Sequence, residues 1–203
     1  MSKKLTIIGA SGHGKVIADI ALLNGYLDII FLDDNTSIKE CAGFPVVDKI
    51  ENAANYSNRD FIVAIGNNSI RRKIQKGLKN LRVTTLIHPT AVISRRVTIG
   101  SGTVVMANTV INSDVKIGGG CIVNTSSSID HDCTISDYCH ISVGAHLAGN
   151  VSIGERSWIS IGASIINNVS ICNDVLVGAG AIVISDIFCK GVYVGVPAKN
   201  LKG

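Results

Sequence analysis

The sequence contains no long hydrophobic run and no segment typical of a signal peptide. None of its apolar stretches approaches the roughly 20 residues that a transmembrane helix needs. Lys3 and Lys4 precede only a short run, Leu5 to Ala10, which leads into glycines and is typical of a strand. We therefore expect a cytoplasmic protein that does not insert into a membrane.

The sequence also lacks a strong charge of one sign. Its net charge is +4; residues 1–84 carry twelve basic and eight acidic side chains, and residues 85–203 carry seven of each. Nucleic-acid binding would need a concentrated basic stripe, so no nucleic-acid partner is expected. The densest basic group is interpreted as the solvated face of a helix whose buried edge is Ile70, Ile74 and Leu78. Its members are Arg71, Arg72, Lys73, Lys76 and Lys79.

A hexapeptide repeat fills most of the second half. An aliphatic side chain occupies every sixth position from Ile93 to Val183, sixteen times in succession. Neither an α-helix nor a hairpin meander has this period, whereas hexapeptide repeats build a parallel β-helix with three hexads to each coil. We predict two domains, residues 1–84 with mixed strands and helices, and residues 85–203 with the solenoid and a C-terminal tail.

A second column of positions, two places before each aliphatic one, holds only Ala, Val, Thr, Cys or Ser. Cys121, Cys133 and Cys139 fall in this column, so we expect them to fill the coil interior as small apolar side chains. Cys121 and Cys139 are three hexads apart and would stack on adjacent coils, within disulfide reach. In a reducing cytoplasm we expect free thiols.

Residues 1–84 follow the order of a small parallel βαβ domain, similar to a Rossmann domain. Strands are predicted at Lys4 to Ile8, Leu27 to Leu32 and Asp60 to Ile65. A helix is predicted after the glycine-rich segment Gly9 to Lys15. This segment matches part of a phosphate-binding loop, but Val16 replaces the Ser or Thr that would bind Mg²⁺.

The ends of the three strands predict a nucleotide or nucleotide-sugar site. A helix N-terminus that follows a glycine-rich turn favours an anion. Asp33 and Asp34, about twenty residues later, end the second strand, where a carboxylate commonly binds a ribose. The alternative is an ordinary tight turn with a solvated pair of carboxylates. The candidate binding residues are Gly12, His13, Gly14, Asp33, Asp34, Gly66 and Asn67.

His131 is the best candidate for a general base. Its neighbours Asp130 and Asp132 can orient the imidazole and raise its proton affinity. Gly149 follows three hexads later, one coil on, and could present a bare backbone N–H beside the ring. A base next to an exposed amide suits acyl transfer, because the amide can stabilise a thioester oxyanion. The alternative is a solvated corner residue.

The other histidines are open to more than one interpretation. His140 either orients a substrate or covers Trp158, which lies one coil on, while His146 is expected at the surface and His88 at the entry to the repeat. No metal site is predicted, because the thiols and imidazoles of this region should face opposite sides of the solenoid wall.

Several segments together resemble the hexapeptide-repeat sugar acetyltransferases of the sialic-acid O-acetyltransferase-like group along the whole chain. The chain is most similar there to the bacterial UDP-4-amino-sugar N-acetyltransferases of bacillosamine and glycan biosynthesis. These proteins combine a nucleotide-sugar domain with a left-handed β-helix. The shared segments are Gly9 to Gly14, Phe31 to Asp34, Ala64 to Asn68, Asn124 to Ser127, His131, Ser142 to Ala145, Ala148 to Asn150 and Gly191 to Lys199.

The resemblance implies an acetyl-CoA-dependent N-acetyltransferase acting on the 4-amino group of a nucleotide-linked sugar. His131 would deprotonate the amine for direct attack on the thioester, and Gly149 would donate to the thioester carbonyl. Asn124 and His140 would assist, and His13 would reach in from the nucleotide domain. The acidic neighbour Asp132 stands where close relatives often have Glu.

The resemblance also implies a homotrimer with active sites between subunits. One subunit would supply His131, and a neighbour would supply part of the CoA groove. The residues that match the region holding CoA are Gly149, Ala163, Gly178, Gly180, Pro197 and Lys199.

Three other functions compete with this one. O-acetylation of sialic acid or a related sugar would use the same base and the same acyl donor. A zinc carbonic anhydrase on the same solenoid would need three histidines that converge on one metal, which the positions of His131, His140 and His146 disfavour. A structural or sugar-binding solenoid would need neither the nucleotide domain nor the acidic residues around His131.

Overall fold

The computed structural model describes residues 3–201, so the outermost positions of the two predicted domains, 1–2 and 202–203, lie outside the described part. The amino-terminal part contains helices α1 (Gly12–Leu23) and α2 (Asn68–Gly77) and a 3₁₀ helix (Ile50–Tyr56). Within residues 3–201, no helix is both long enough and apolar enough to span a bilayer. The strands of this part are β1 (Lys3–Ile8), β2 (Tyr26–Leu32), β3 (Glu40–Cys41), β4 (Phe44–Asp48), β5 (Asp60–Val63) and β6 (Arg82–Val83).

These six strands form one sheet in the order β3-β4-β2-β1-β5-β6. All neighbours are parallel except the short hairpin of β3 and β4. The predicted βαβ order is correct, and β1 pairs with β2 over its full length. Parallel strands bring their carboxyl ends to one edge, so the turns after β1, β2 and β5 lie together, as a ligand site in an open α/β sheet requires.

The rest of the chain is a left-handed parallel β-helix with three sheets, as predicted. Its first sheet contains β7 (Leu86–Ile87), β10 (Val104–Val105), β13 (Ile122–Val123), β16 (His140–Ile141), β19 (Trp158–Ile159), β22 (Val175–Val177), β24 (Gly191–Val194) and β25 (Lys199–Asn200). The second contains β8 (Val92–Ile93), β11 (Val110–Ile111), β14 (Ser128–Ile129), β17 (His146–Leu147), β20 (Ser164–Ile165) and β23 (Ile182–Val183). The third contains β9 (Thr98–Ile99), β12 (Lys116–Ile117), β15 (Thr134–Ile135), β18 (Ser152–Ile153) and β21 (Ser170–Ile171).

Pairing between coils has a constant register of three hexads, as in Ile111 with Ile129 and Ile129 with Leu147. The aliphatic column and the small-residue column pack into a single core along the coil axis. Cys121, Cys133 and Cys139 are buried in this core, and all the cysteines of the described chain are free. The interior position predicted for these three thiols is therefore correct.

The corners of the coils use a second device with the same hexapeptide period. From Gly102 to Gly180, every sixth residue has a positive φ. This left-handed conformation favours Gly, Asn and Asp, because other side chains clash with the backbone there. Asp132 belongs to this column, with φ of 61°. Its side chain therefore leaves the chain at a sharp corner, immediately after His131.

The amino-terminal sheet and the solenoid share a hydrophobic core. Leu86, Val104 and Ile122 occupy the same outward position on three successive coils of the first sheet. They pack with the buried face of α1, and the side-chain amide of Asn24 donates to the Ile87 carbonyl. The next coil has His140 at this position, and the one after it has Trp158. His140 therefore lies at the rim of the contact between the two parts.

One prediction about this contact is wrong. The sequence places Arg71 on a solvated helix face, but Arg71 is 1% exposed, and Ile70 of the expected buried edge is 50% exposed. Helix α2 has two buried faces. One packs Leu78 and Ile74 under the sheet, and the other presents polar side chains to a corner of the solenoid.

Candidate active site

His131 lies in the corner between β14 and β15, and its side chain is 59% exposed. Its Nδ1 is 2.7 Å from Oδ2 of Asp132, and Oδ1 of Asp130 accepts from the His131 backbone N–H at 2.8 Å. The hydrogen bond to Asp132, and after it the charge of Asp130, raises the pKa of His131. Because the carboxylate accepts the proton on Nδ1, Nε2 is left as the basic nitrogen.

Gly149 lies directly against this ring, as predicted from the period. A Cβ at Gly149 would be 2.7 Å from both Cε1 and Nε2 of His131, so only glycine leaves the ring undisturbed. The neighbouring Asn150 N–H donates to the His131 carbonyl at 2.9 Å, which fixes the two coils together. Gly149 is itself buried, and within residues 3–201 no group accepts from its backbone N–H. A basic nitrogen and a free amide donor are therefore adjacent.

A second cluster lies where the first sheet meets the amino-terminal domain. The ring of His140 stacks on Trp158 with centroids 5.1 Å apart, and its Nε2 is 3.2 Å from Nδ2 of Asn124. The Asn124 Oδ1 accepts from the Thr125 N–H, so Nδ2 is the group that donates to His140. The proton of a neutral His140 is then on Nδ1, which is buried and has no partner among the described residues.

His13, in the first turn of α1, contributes to the same cluster. Its Nε2 is also buried without a partner in the described part of the chain. Burial, and after it the charge of Arg71, lowers the pKa of His13 to about 4. Burial, then Arg71, then His13, lowers the pKa of His140 to about 3. Both imidazoles are therefore neutral at pH 7, so each ring has one nitrogen that accepts and one that donates.

The predicted nucleotide residues do lie at one edge of the sheet. Asp33 accepts from the Ala10 N–H at 2.7 Å and from the Asn35 N–H at 2.8 Å, and Asp34 accepts from the Ile50 N–H. Asp33 also borders a cavity of about 360 Å³ that is lined by the segment after β2, by β4 and by the start of the 3₁₀ helix. Each carboxylate is thus held in place by the backbone and keeps lone pairs for a ligand.

The glycine turn of this edge is built for close packing. Gly12 begins α1, and a side chain at Gly14 would collide with the Gly9 carbonyl and the Phe31 ring. The Gly66 carbonyl accepts from Arg71 at 3.0 Å, and the Asn67 side chain caps α2 by accepting from the Ile70 N–H. Asn67 therefore keeps its amide NH₂ and one lone pair of Oδ1 for a ligand.

The residues predicted to hold CoA lie in different settings. The Ala163 side chain is buried in the coil, and Gly178 lies under Val194. Pro197 is exposed, and Lys199 pairs with Val194 in the terminal hairpin of β24 and β25. Gly180 has φ of 66°, and nothing lies within 4 Å of the position of its absent Cβ.

The sequence predictions did not include a bare glycine strip, meaning a strip of surface without side chains, at the corner that contains Gly180. Gly144 and Gly162 precede Gly180 at intervals of one coil, have positive φ, and likewise have open space where a Cβ would be. The sequence contains a signal for this strip, because the three glycines recur at every third hexad. Together they leave a surface without side chains along three coils.

One chain does not bring all the predicted catalytic residues together. His140 and Asn124 lie at the first sheet, whereas His131 and Gly149 lie at the junction of the second and third sheets. In a three-sided coil, that junction is opposite the first sheet. The chain thus carries two separate groups of candidate residues, here called half-sites: one contains His131 and Gly149, and the other contains the neutral histidines and the nucleotide-type edge.

Comparison with known proteins identifies the family. Residues 4–78 match the model of the PglD N-terminal domain. The acetyltransferase domain of PglB from Neisseria gonorrhoeae FA1090, solved with acetyl coenzyme A, is 42% identical, with a TM-score of 0.95; the match covers 99% of this chain and 100% of that one. PerB from Caulobacter crescentus, solved with CoA and GDP-perosamine, is 35% identical, with a TM-score of 0.92 and coverage of 97% and 96%.

A curated relative gives a shorter match. UDP-N-acetylbacillosamine N-acetyltransferase of Bacillus subtilis (strain 168) is 38% identical over 114 residues, which are 52% of this chain and 52% of that protein. The match thus spans about half the length of this relative. The two structural matches extend over nearly all of both chains and both domains. The chain therefore belongs to the PglD family of hexapeptide-repeat sugar N-acetyltransferases.

Proposed function

We propose that the protein transfers the acetyl group of acetyl-CoA to the 4-amino group of a nucleotide-linked amino-deoxy sugar, with a UDP-sugar favoured. The observation that carries this proposal is the contact of the His131 ring with Gly149, with Asp132 on the other ring nitrogen. The solved relatives bind acetyl-CoA in one case, and CoA with GDP-perosamine in the other. The nucleotide-type edge around Asp33 supports an activated sugar rather than a free one.

The proposed reaction is a direct acyl transfer without a covalent enzyme intermediate. The sugar amine attacks the thioester carbonyl, the new C–N bond forms, and the C–S bond breaks. His131 Nε2 takes the proton that the amine loses, and this proton then passes to the departing thiolate. The Gly149 N–H donates to the oxyanion. Groups of these kinds contribute about 10²–10⁴-fold for the base and on the order of 10²–10³-fold for one donor. The mechanism uses no metal ion.

We propose further that the working form is a homotrimer whose sites lie between subunits. The separation of the two half-sites in one chain supports this arrangement, because a second copy can bring His131 to the His140 cluster of its neighbour. The bare glycine strip of Gly144, Gly162 and Gly180 would then form one wall of a CoA groove, near Ala163, Gly178, Pro197 and Lys199. We keep the cytoplasm as the proposed compartment, where the cysteines would stay reduced.

The first experiment compares His131→Ala with the wild type on a panel of UDP-, dTDP- and GDP-4-amino sugars and free sialic acid. We expect the variant to fold and bind CoA but to lose most turnover, at least about 10²-fold. Acetylation of a UDP-linked amine by the wild type supports the proposal. Acetylation of sialic acid alone would replace it with an O-acetyltransferase, and near wild-type turnover by the variant would overturn the mechanism.

The second experiment tests the shared site by co-expressing His131→Ala and His140→Ala chains. Each variant alone should be nearly inactive. In a random population of trimers formed from equal amounts of the two chains, about one quarter of the sites would combine an intact His131 from one chain with an intact His140 from its neighbour. Activity well above either single variant is expected. A mixture no more active than the better parent would contradict sites between subunits.

A further inference from the structure

Arg71 links the nucleotide-type edge to the solenoid. In its own domain, Nη1 donates to the carbonyls of Ile65 and Gly66, at 2.9 and 3.0 Å, in the loop between β5 and α2. Across the contact, Nε donates to the Gly120 carbonyl at 2.6 Å, and Nη2 donates to the carbonyls of Tyr138 and Cys139. One side chain thus joins the loop before α2 to two successive coils.

Two other residues of α2 continue this contact. Asn68 Oδ1 accepts from Arg71 Nη2 at 2.8 Å, and its amide donates to the carbonyls of Arg156 and Ser157, one coil further on. Near the end of α2, Gln75 donates to the Ser101 carbonyl, and its side-chain amide occupies the space that a Cβ at Gly102 would need. Asn68, Arg71 and Gln75 share one face of α2, and this face therefore contacts the same corner on four successive coils.

Arg71 has no carboxylate partner within residues 3–201, although it is 1% exposed. This is unusual, because a buried cation is normally paired. Arg59, the other buried arginine of this domain, makes a 2.7 Å ion pair with Asp28. The charge of Arg71 is balanced only by carbonyl dipoles, and burial lowers its pKa to about 10. No neighbouring carboxylate therefore cancels its effect on the groups around it.

The titratable groups that face this charge come from three elements. His13 belongs to α1 and His140 to β16, and each lies close enough to Arg71 to lose proton affinity through its charge. Tyr138, Cys121 and Cys139 belong to the coil corner below the guanidinium, with Asp137 beside them and Arg72 on the outer face of α2. Of these groups, only the two histidines belong to the proposed acceptor site.

We propose that Arg71 is a positioning residue of the acceptor site, which holds the β5–α2 loop against the coil of His140 and acts through its buried charge on the two facing imidazoles. The inference rests on the proposed function for its kinetic consequence. His140 accepts from Asn124 only while it is uncharged, because an imidazolium has two donors and no acceptor. Burial, and after it the charge of Arg71, keeps His140 uncharged and so maintains the hydrogen bond that orients its ring, while the buried Nδ1–H has no partner among residues 3–201.

Two substitutions separate the geometric and electrostatic roles. Arg71→Lys keeps a charge but loses the planar fork that reaches both domains, and Arg71→Met removes the charge at similar length. Arg59→Met is the matched control, because it removes a buried arginine of the same sheet at the amino end of β5, away from the site. Each protein is examined by histidine NMR titration and by steady-state kinetics with both substrates.

We expect Arg71→Met to raise the pKa values of His13 and His140 but to leave them below the ordinary value of about 6.5, because burial, the larger cause, is unchanged; Arg59→Met should leave them unaltered. Arg71→Lys should keep them low. Both Arg71 variants should raise KM for the nucleotide sugar by about tenfold or more, because a displacement of about 1 Å can cost on the order of 10²-fold. KM for acetyl-CoA should stay the same, and Arg59→Met should alter neither KM.

Each outcome decides the proposal. Unchanged histidine titrations in Arg71→Met, or equal increases in both KM values, would overturn it. If Arg71→Met does not fold, the Lys variant decides, since an unchanged KM for the nucleotide sugar contradicts the positioning role. The titrations need no substrate. A failure to acetylate any nucleotide sugar therefore removes the proposed function, while the charge effect of Arg71 is still measured.

Discussion

One methyl group added at Gly149 is a direct perturbation of the proposed catalytic pair. The Cβ of Gly149→Ala would lie 2.7 Å from Nε2 and Cε1 of His131, far inside the roughly 3.5–4.0 Å at which carbon atoms make optimal contact. The backbone of Gly149 is not in the left-handed region, so alanine fits it without strain. The hydrogen bond from the Asn150 N–H to the His131 carbonyl holds the two coils together. The imidazole must therefore turn away, by about 1 Å.

The magnitude follows from the position of the ring. A displacement of about 1 Å at a reacting group costs on the order of 10²-fold, so kcat/KM should fall by about this factor. Stability should change by less than about 0.5 kcal/mol, since His131 is 59% exposed and can turn into solvent. We therefore expect a large loss of rate without a comparable loss of stability.

The assay should quantify acetylated sugar by chromatography, because exposed Cys189 would itself react with a thiol reagent for CoA. Thermal unfolding followed by circular dichroism measures stability in parallel. Gly77→Ala is the matched control: it ends α2, has no positive φ, and has nothing within 4 Å of its Cβ position. Wild-type turnover by Gly149→Ala, or a rate loss that merely follows a fall in Tm, would refute the reasoning.

Three further predictions concern charge and packing. Asp132→Asn keeps a residue suited to the left-handed corner but removes the main cause of the raised pKa of His131. The acid limb of kcat/KM should therefore shift to lower pH and the plateau should fall at least tenfold; an unshifted limb would contradict this. His13 and His140 have folded pKa values of about 4 and about 3, below the unfolded value of about 6.5, so the unfolded state binds more protons on acidification. Stability present at pH 7 should thus decline as pH falls from about 6.5 toward 4, by roughly 1.4 kcal/mol per pH unit for each histidine, and equal urea midpoints at pH 7 and pH 5 would argue against it. Ile129→Ala, in a fully buried position of the aliphatic column, should cost about 2–5 kcal/mol of unfolding free energy in urea, whereas a cost below about 1 kcal/mol would mean that the coil closes over the gap.

The solenoid could be predicted almost residue by residue, because its fold repeats one local rule. The inward direction of Cys133, the stacking of Gly149 on His131, and the constant register between coils all follow from the hexads. The βαβ order was also correct, since buried strands and a glycine turn are local patterns. The hairpin of β3 and β4 was not predicted, because its very short first strand carries no period.

The contact between the two parts could not be predicted from such patterns. Arg71 and Asn68 belong to a polar helix face, which by itself indicates solvent. Their burial depends on carbonyl groups of the coil corner that come far later in the chain, such as those of Gly120 and Ser157. A carbonyl has no sequence signature, so a side chain that binds only carbonyls looks solvated until the fold is known. The same reason hides the neutral state of His140, whose environment comes from α1 and α2.

The hexapeptide period also determines how far apart His131 and His140 lie on one chain. Ile122 and His140 pair across one full coil, and His131 lies midway between them in the sequence. Half a coil turns the chain from a corner to the opposite face, whereas a whole coil returns it to the same place, as for His131 and Gly149. A site that uses both histidines would therefore need two chains, which is the reason for the proposed arrangement between subunits. The nucleotide domain bears on this argument, because its apolar contact with the first sheet ends at Ile122, whereas His140 on the next coil is buried near His13 and Arg71.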